Sequence, residues 1–454
     1  MHPKLLPLLA VLAVSPNGPS PAPPRSAPNV IFILADDLGY GDVGFTGQRL
    51  IKTPNLDALA REGMRCTQAY AGTSVCAPSR SALMTGRHTG HTYVRGNFGP
   101  NQTRVSFPDS IFTMAELFKA RGYATGLFGK WGLGAKNTAG TPNRQGFDVF
   151  AGYLDQAHAH EYYPEKADLN ETEVLFPENR GGKKGTYSAD WYFGQLLDFV
   201  KKNRDRPFFA YFATTLPHAK YQLAIRPEYA GQAWSEGQKI YASMVTHLDE
   251  QVGELRRLLR QQGLDNNTLL VFTSDNGPGW QPHGEPGNPA FDPALFNSSG
   301  GLRGIKRDLY EGGMREPMAV YWKNRIRAGS QTDFPLAFWD FMPTFAELTG
   351  YDRSLATDGV SLLPLWLGKG QPRREYLYWE FHLEGAKQGM KQALRRGDWK
   401  LVRNDPERPF ELYDLRHDPN ETTDLAPRFP EKVRELTALM AKARTESAFW
   451  PTGR

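Results

Sequence analysis

Asn29-Val-Ile-Phe-Ile-Leu-Ala-Asp-Asp37 is a short apolar run of β-type residues that stops at two adjacent carboxylates. Pro28 bounds it on the other side, and with no polar alternation residues 29–34 read as a buried parallel strand. Residues 54–63 follow Thr53, a candidate N-cap, and carry Leu56, Leu59 and Ala60 at helical spacing before Gly63 closes the segment. Strand then helix is the opening of an α/β fold. The pattern recurs. Residues 110–121 read as a helix before a strand at 123–128, and residues 189–203 as a helix before a strand at 207–213. The long periodic stretch 238–262 likewise precedes a strand at 269–273. These four strands run out into Asp36-Asp37, Lys130, His218 and Asp275-Asn276. In open parallel sheets the site lies at the carboxyl ends of the strands, so four such ends predict one shared cleft.

Beyond residue 352 the texture changes. Short strand candidates at 376–381, 392–395, 399–402 and 411–415, followed by a helix over 431–447, predict a smaller antiparallel unit. The expected organisation is a leader and linker over 1–28, a main α/β domain over 29–352 and a C-terminal subdomain over 353–454. The leader has Lys4, an apolar run over 5–14 broken only by Pro7, and a Pro/Ser/Gly-rich exit. It resembles a secretory signal peptide and predicts a secreted or periplasmic protein. A bilayer span needs about 20 apolar residues. That run is too short and no later segment is long enough, so no membrane span is expected. Net charge is +5 and the basic residues are scattered, which suits an anionic substrate and does not call for nucleic acid. Cys66 and Cys76 are the only cysteines, and two are no disulfide framework.

Cys76 opens the stretch Cys76-Ala-Pro-Ser-Arg-Ser-Ala-Leu-Met-Thr-Gly-Arg87. This resembles the signature of the type I, formylglycine-dependent sulfatases of the alkaline phosphatase superfamily, Cys-x-Pro-Ser-Arg followed by Thr-Gly-Arg. The resemblance runs from residue 29 to about residue 426. Residues 29–37 look like the family's first strand with its metal-binding acid pair, and Ser274-Asp-Asn-Gly277 looks like its second metal segment. Gly304-Ile-Lys-Arg-Asp-Leu-Tyr-Glu-Gly-Gly313 looks like its lysine loop, and Glu411-Leu-Tyr-Asp-Leu415 like its C-terminal hairpin. The resemblance implies an alkaline-phosphatase-like α/β fold, a mostly parallel sheet sandwiched by helices with a smaller C-terminal antiparallel-sheet subdomain. It implies the activity of an arylsulfatase-like sulfuric ester hydrolase.

In that family a separate formylglycine-generating enzyme, the implied maturation partner, oxidises the cysteine to an aldehyde that hydrates to a geminal diol. One hydroxyl attacks sulfur and releases the alcohol; the other loses its proton as the hemiacetal collapses and expels sulfate. The resemblance assigns a metal to Asp36, Asp37, Asp275 and Asn276. These hard oxygen donors suit calcium, or less readily magnesium, and offer no thiol or imidazole for zinc. By the same resemblance Arg80 steadies the modified side chain and the metal site, and Lys130 and Lys306 neutralise sulfate oxygens. His218 would bind sulfate or protonate the leaving oxygen.

One departure stands out. Many family members read Gly-Lys-Trp-His-Leu-Gly where this chain has Gly129-Lys-Trp-Gly-Leu-Gly134, so Gly132 replaces the histidine that helps the nucleophile collapse. His158 and His160, in Gln156-Ala-His-Ala-His-Glu-Tyr-Tyr163, are the candidates for its task or for substrate contact. Two apart, they would share a face if extended. Arg95 and Asn97, after the nucleophile segment, and His382, in Trp379-Glu-Phe-His382, are further substrate-binding candidates. Export and these polar groups favour a sulfated carbohydrate over small aryl esters. Two other readings share the motifs: a formylglycine-dependent phosphonate or phosphate ester hydrolase, and an inactive glycan-binding protein in which Cys76 stays a thiol. Cys66 is expected to be a buried free thiol, because a bridge would consume the nucleophile precursor.

Overall fold

The computed structural model describes residues 27–99, 103–383 and 389–451; the leader expected over 1–28 falls outside them except for residues 27 and 28. The main sheet is built from β1 (Asn29–Ala35), β2 (Met64–Tyr70), β3 (Ala124–Lys130), β4 (Val149–Tyr153), β5 (Lys166–Leu169) and β6 (Thr172–Leu175). It continues with β7 (Phe208–Ala213), β8 (Thr268–Ser274), β9 (Arg315–Trp322), β10 (Ser330–Thr332) and β11 (Leu336–Ala337). Its order is β10-β2-β9-β8-β1-β7-β3-β4-β5-β6, with β11 also on β2. The central run β8-β1-β7-β3-β4 is parallel. Toward the edges β9 is antiparallel to β8 and β2, and β5 and β6 form an antiparallel hairpin on β4.

β1, β3, β7 and β8 are buried at every residue, as strands covered on both faces must be. Alternate residues of β1 serve opposite layers. Ile31, Ile33 and Ala35 pack with α1 (Pro54–Glu62), α4 (Ser188–Lys202) and α5 (Glu236–Gln261). Val30, Phe32 and Leu34 pack with α2 (Cys76–Thr85), α3 (Met114–Ala120) and α6 (Phe341–Thr349). The result is the α/β sandwich that the strand-helix alternation predicts.

Two helix starts differ from the sequence expectation. Thr53 precedes α1 but makes no side-chain cap; the Asp249 carboxylate on α5 accepts the Asn55 and Leu56 N–H groups at 3.2 and 2.7 Å instead. A partner from another helix therefore satisfies the orphan donors. The helix expected over 110–121 begins only at Met114, because Thr113 and Glu116 close a capping box there.

The smaller sheet is antiparallel in the order β12 (Leu377–His382), β13 (Met390–Arg396), β14 (Trp399–Arg403), β15 (Glu411–Asp414). Leu377, Trp379 and Phe381 face the main body with Tyr70 and Trp339, and Tyr378 faces α7 (Pro430–Lys442) with Leu436 and Met440. Among the described residues no helix is long and apolar enough to cross a membrane.

Candidate active site

The four strands whose ends carry polar residues are neighbours, β8-β1-β7-β3, so their carboxyl ends open on one place. Asp36 and Asp37 follow β1, Asp275 and Asn276 follow β8, His218 lies beyond β7, and Lys130 ends β3. The loops are interlocked: Asp36 N–H donates to Leu216 O at 3.0 Å and Asp275 N–H to Ala35 O at 3.1 Å. Asp37 turns with φ 62°, the left-handed region that aspartate tolerates better than most residues.

Helix α2 carries Cys76 into this cleft as its first residue and Arg80 one turn later on the same face. Asn97 Oδ1 accepts the Ala77 N–H at 3.1 Å, so an amide satisfies a first-turn donor that the chain before the helix leaves open. At the other end Gly86 stops the helix at φ 67°, where a Cβ would sit 2.5 Å from Met342 Cβ.

Charges then close around Cys76. Its Sγ lies 3.5 Å from Asp36 Oδ1. Arg80 Nε and Nη2 reach Asp275 Oδ2 at 3.0 and 2.8 Å, and its Nη1 donates to Lys130 O at 2.9 Å. Arg80 Nη2 is also 3.3 Å from Asp36 Oδ2, which accepts from Lys130 Nζ at 2.6 Å. Across the cleft Lys306 Nζ donates to Asp37 Oδ2 at 2.7 Å, with His218 Nε2 at 3.3 Å from the same oxygen. Burial alone would raise the Asp36 carboxyl, but Lys130, His218 and Arg80 together hold it well below the usual range. Burial, then Asp275, pushes the Cys76 thiol up to about 12, so at neutral pH it is protonated.

The lysine loop owes its position to the smaller sheet. Leu309 N–H donates to Asn404 Oδ1 at 2.8 Å, Asn404 Nδ2 to Asp308 Oδ1 at 2.8 Å, and Lys391 Nζ to Arg307 O at 2.8 Å. Glu311, which ends that loop, is tied to fully buried Lys400 at 3.0 Å.

The oxygen donors of the site fit a hard divalent cation, and the structure also brings a thiol and an imidazole close to them. Asp36, Asp37, Cys76 and His218 offer ligand atoms within 4.8 Å of one another. Asn276 Nδ2 donates to Asp37 Oδ1 at 2.7 Å, yet Asn276 Oδ1 is buried without a hydrogen-bond partner among the described residues. An orphaned amide oxygen on a side chain that touches the Asp37 carboxylate matches oxygen coordination.

The cleft has a volume of about 460 Å³ and is lined by Asp37, Cys76, Asn97, His160, His218 and Lys306, together with Phe98, Arg104, Gln156, Tyr221 and Trp280. His158 and His160 are not extended but form a 3-10 turn, which sends their rings apart. His160 stacks on His218 at 4.2 Å, whereas His158 packs on Tyr153 at 4.9 Å and lines a neighbouring cavity. Arg95 and His382 do not line the cleft; both are buried and meet Glu380 Oε1, at 3.0 and 3.1 Å. Gln156 and Trp280 are marked only by their position in loops after strands, and Arg104, in the connection between α2 and α3, by no sequence signal. Both cysteines are free and buried.

Comparison with known proteins gives concordant results. The Sulfatase family model matches residues 28–351, and the model for the C-terminal part of N-sulphoglucosamine sulphohydrolase matches residues 305–446. The chain is 31% identical to arylsulfatase A of Homo sapiens, across 94% of this chain and 90% of the relative. It is 29% identical to the N-acetylgalactosamine-6-O-sulfatase of Bacteroides thetaiotaomicron, across 92% and 93% of the two chains. Among solved structures it is similar to Ps i-CgsB in complex with k-i-k-neocarrahexaose, with a TM-score of 0.79 and 28% identity over 94% of this chain and 95% of the other.

Proposed function

The chain belongs to the sulfatase family, and from that premise we propose an exported, calcium-dependent enzyme that removes sulfate from a carbohydrate after Cys76 is converted to formylglycine. Sulfuric ester hydrolysis is the activity of the family, and relatives that act on sulfated sugars support the substrate class. The observation that carries the reading is the convergence of Lys130, Lys306, Arg80 and His218 on the carboxylates around Cys76. Three cations and a histidine beside a helix N-terminus make a receptor for a tetrahedral anion. The proposal includes a catalytic domain over 29–352, a C-terminal subdomain over 353–454, and a separate enzyme for the maturation of Cys76.

When present, the cation and the formylglycine hydrate supply a Lewis-acid hold on a sulfate oxygen and an oxygen nucleophile. The rest is work for side chains. Asp36, Asp37, Asp275 and Asn276 would hold the cation, and Arg80, bridging Asp275 and Asp36, offsets the repulsion between those carboxylates and steadies residue 76. Lys130 and Lys306, paired with Asp36 and Asp37, neutralise the sulfate oxygens. His218 has Nδ1 on the Ala219 carbonyl, which leaves Nε2 for sulfate or the leaving oxygen. Of the two loop histidines we assign His160 the contact with the reacting groups, because it lines the cleft and stacks on His218. Asn97 completes the nucleophile helix beside them.

Sulfate release from defined sulfated mono- and oligosaccharides by the matured protein tests the function. Turnover that Cys76→Ala abolishes, and that calcium restores after chelation, is expected. No release from any sulfated sugar, or turnover that survives Cys76→Ala, contradicts it.

A further inference from the structure

Gly132 lies two residues beyond Lys130 at φ 78°, and a Cβ there would meet Gln156 Nε2 at 3.0 Å and Gln156 Cγ at 3.1 Å. The space that a side chain at 132 would enter therefore belongs to Gln156, from the loop after β4. Gln156 is 5% exposed and lines the same cleft as Cys76, His160, His218 and Lys306. Its Oε1 accepts from Arg104 Nη1 at 3.2 Å, and Arg104 is anchored by Asp155 at 2.9 Å. That bond fixes the orientation of the amide, because a guanidinium donates and only the oxygen side accepts. The NH2 side is then turned the other way, and Gln156 Nε2 is buried with no hydrogen-bond partner among the described residues. A buried donor left without an acceptor is unfavourable, so an acceptor belongs there when the cleft is filled.

We propose that Gln156, oriented by Arg104, is a substrate-binding residue of this site, donating its Nε2–H to an oxygen of the bound sulfate group. This rests on the sulfate-ester reading above and deepens it. The amide does not titrate near neutral pH, so Gln156 binds and orients the anion and moves no proton. Arg104 is the positioning residue: its bond to Oε1 fixes the orientation of the amide.

The test uses the matured, metal-loaded full chain with Gln156→Ala and the near-isosteric Gln156→Glu. Two quantities are measured: kcat and KM on a sulfated monosaccharide, and competitive inhibition by inorganic sulfate. Loss of one donor to a charged group predicts a fall in kcat/KM of about 10- to 100-fold for Gln156→Ala, with sulfate inhibition weakened by a similar factor. The pH profile keeps its shape. Gln156→Glu, which turns a carboxylate toward the anion, is expected to be worse on both measures while its Tm confirms that it folds. Sulfate inhibition within about twofold of wild type for both variants overturns the proposal. So does a rise in KM for the sugar alone, which would move the contact from the sulfate group to the ring. Wild-type protein that binds inorganic sulfate through Gln156 yet releases none from any ester overturns the hydrolase reading and leaves the role of Gln156 standing.

Discussion

Replacing Lys400 by methionine is expected to destabilise the protein strongly and to loosen the lysine loop. The Lys400 ammonium is fully buried, 3.0 Å from Glu311 Oε1 and 2.8 Å from Glu421 Oε1. Glu311 keeps other partners, accepting from Tyr70 at 2.7 Å and pairing with Arg315 at 2.8 Å. Glu421 has little else: it accepts the Glu311 N–H at 2.6 Å. Breaking a buried ion pair on one side costs about 3–5 kcal/mol, because the remaining charge stays buried without its partner. With 454 residues the unfolding entropy is roughly 1 kcal/mol per degree, so Tm should fall by about 3–5 °C. The loss should depend on pH. Burial raises the Glu421 carboxyl even with Lys400 beside it, so the native state favours its protonated form and stability declines as pH rises above the ordinary carboxylate range. Without Lys400 the native value climbs further and the decline reaches higher pH. Lys400→Met should therefore lose more at pH 8 than at pH 5.5, by thermal and denaturant unfolding at both. Because Glu311 ends the loop that bears Lys306, KM should rise more than kcat falls. A variant within about 0.5 kcal/mol of wild type, or one hurt more at the lower pH, contradicts this role of Lys400.

Other outcomes follow from the same structure. Gly86→Ala puts a side chain into a left-handed position and against Met342 Cβ, and should lower stability by roughly 1–3 kcal/mol in denaturant melts. Burial pushes His88 down to about 4, so the native state resists its proton and stability should be lost as pH falls from 6.5 toward 4. That shift corresponds to about 3 kcal/mol, and His88→Gln should flatten the pH dependence of unfolding in that window. Calcium at a hundred times its Kd should raise the stability of the chelated protein by about 2.7 kcal/mol, seen as a Tm increase that the same concentration of magnesium matches only in part.

The parallel core was legible because β1, β3, β7 and β8 are buried on both faces and so read as unbroken apolar runs. Their polar ends pointed to the cleft for the same reason: the residue after a buried strand has no core to enter. The edge strands were harder to see. β2, for example, alternates buried and half-buried residues and carries Arg65 and Gln68. The histidines at 158 and 160 were visible as candidates, but their separation depends on a 3-10 turn that no local pattern announces. Gln156 was hidden in another way: its place is set by the absence of a side chain at Gly132 and by an arginine 52 residues away. Arg95 and His382 looked like sugar ligands by type, yet a buried Glu380 claims both.

Mass measurement of the peptide containing residue 76, taken from protein that is releasing sulfate, reads the state of the nucleophile directly. A nucleophile derived from Cys76 predicts a mass about 18 Da below that of the cysteine peptide, as formylglycine requires. An intact thiol at residue 76 in active protein would contradict it.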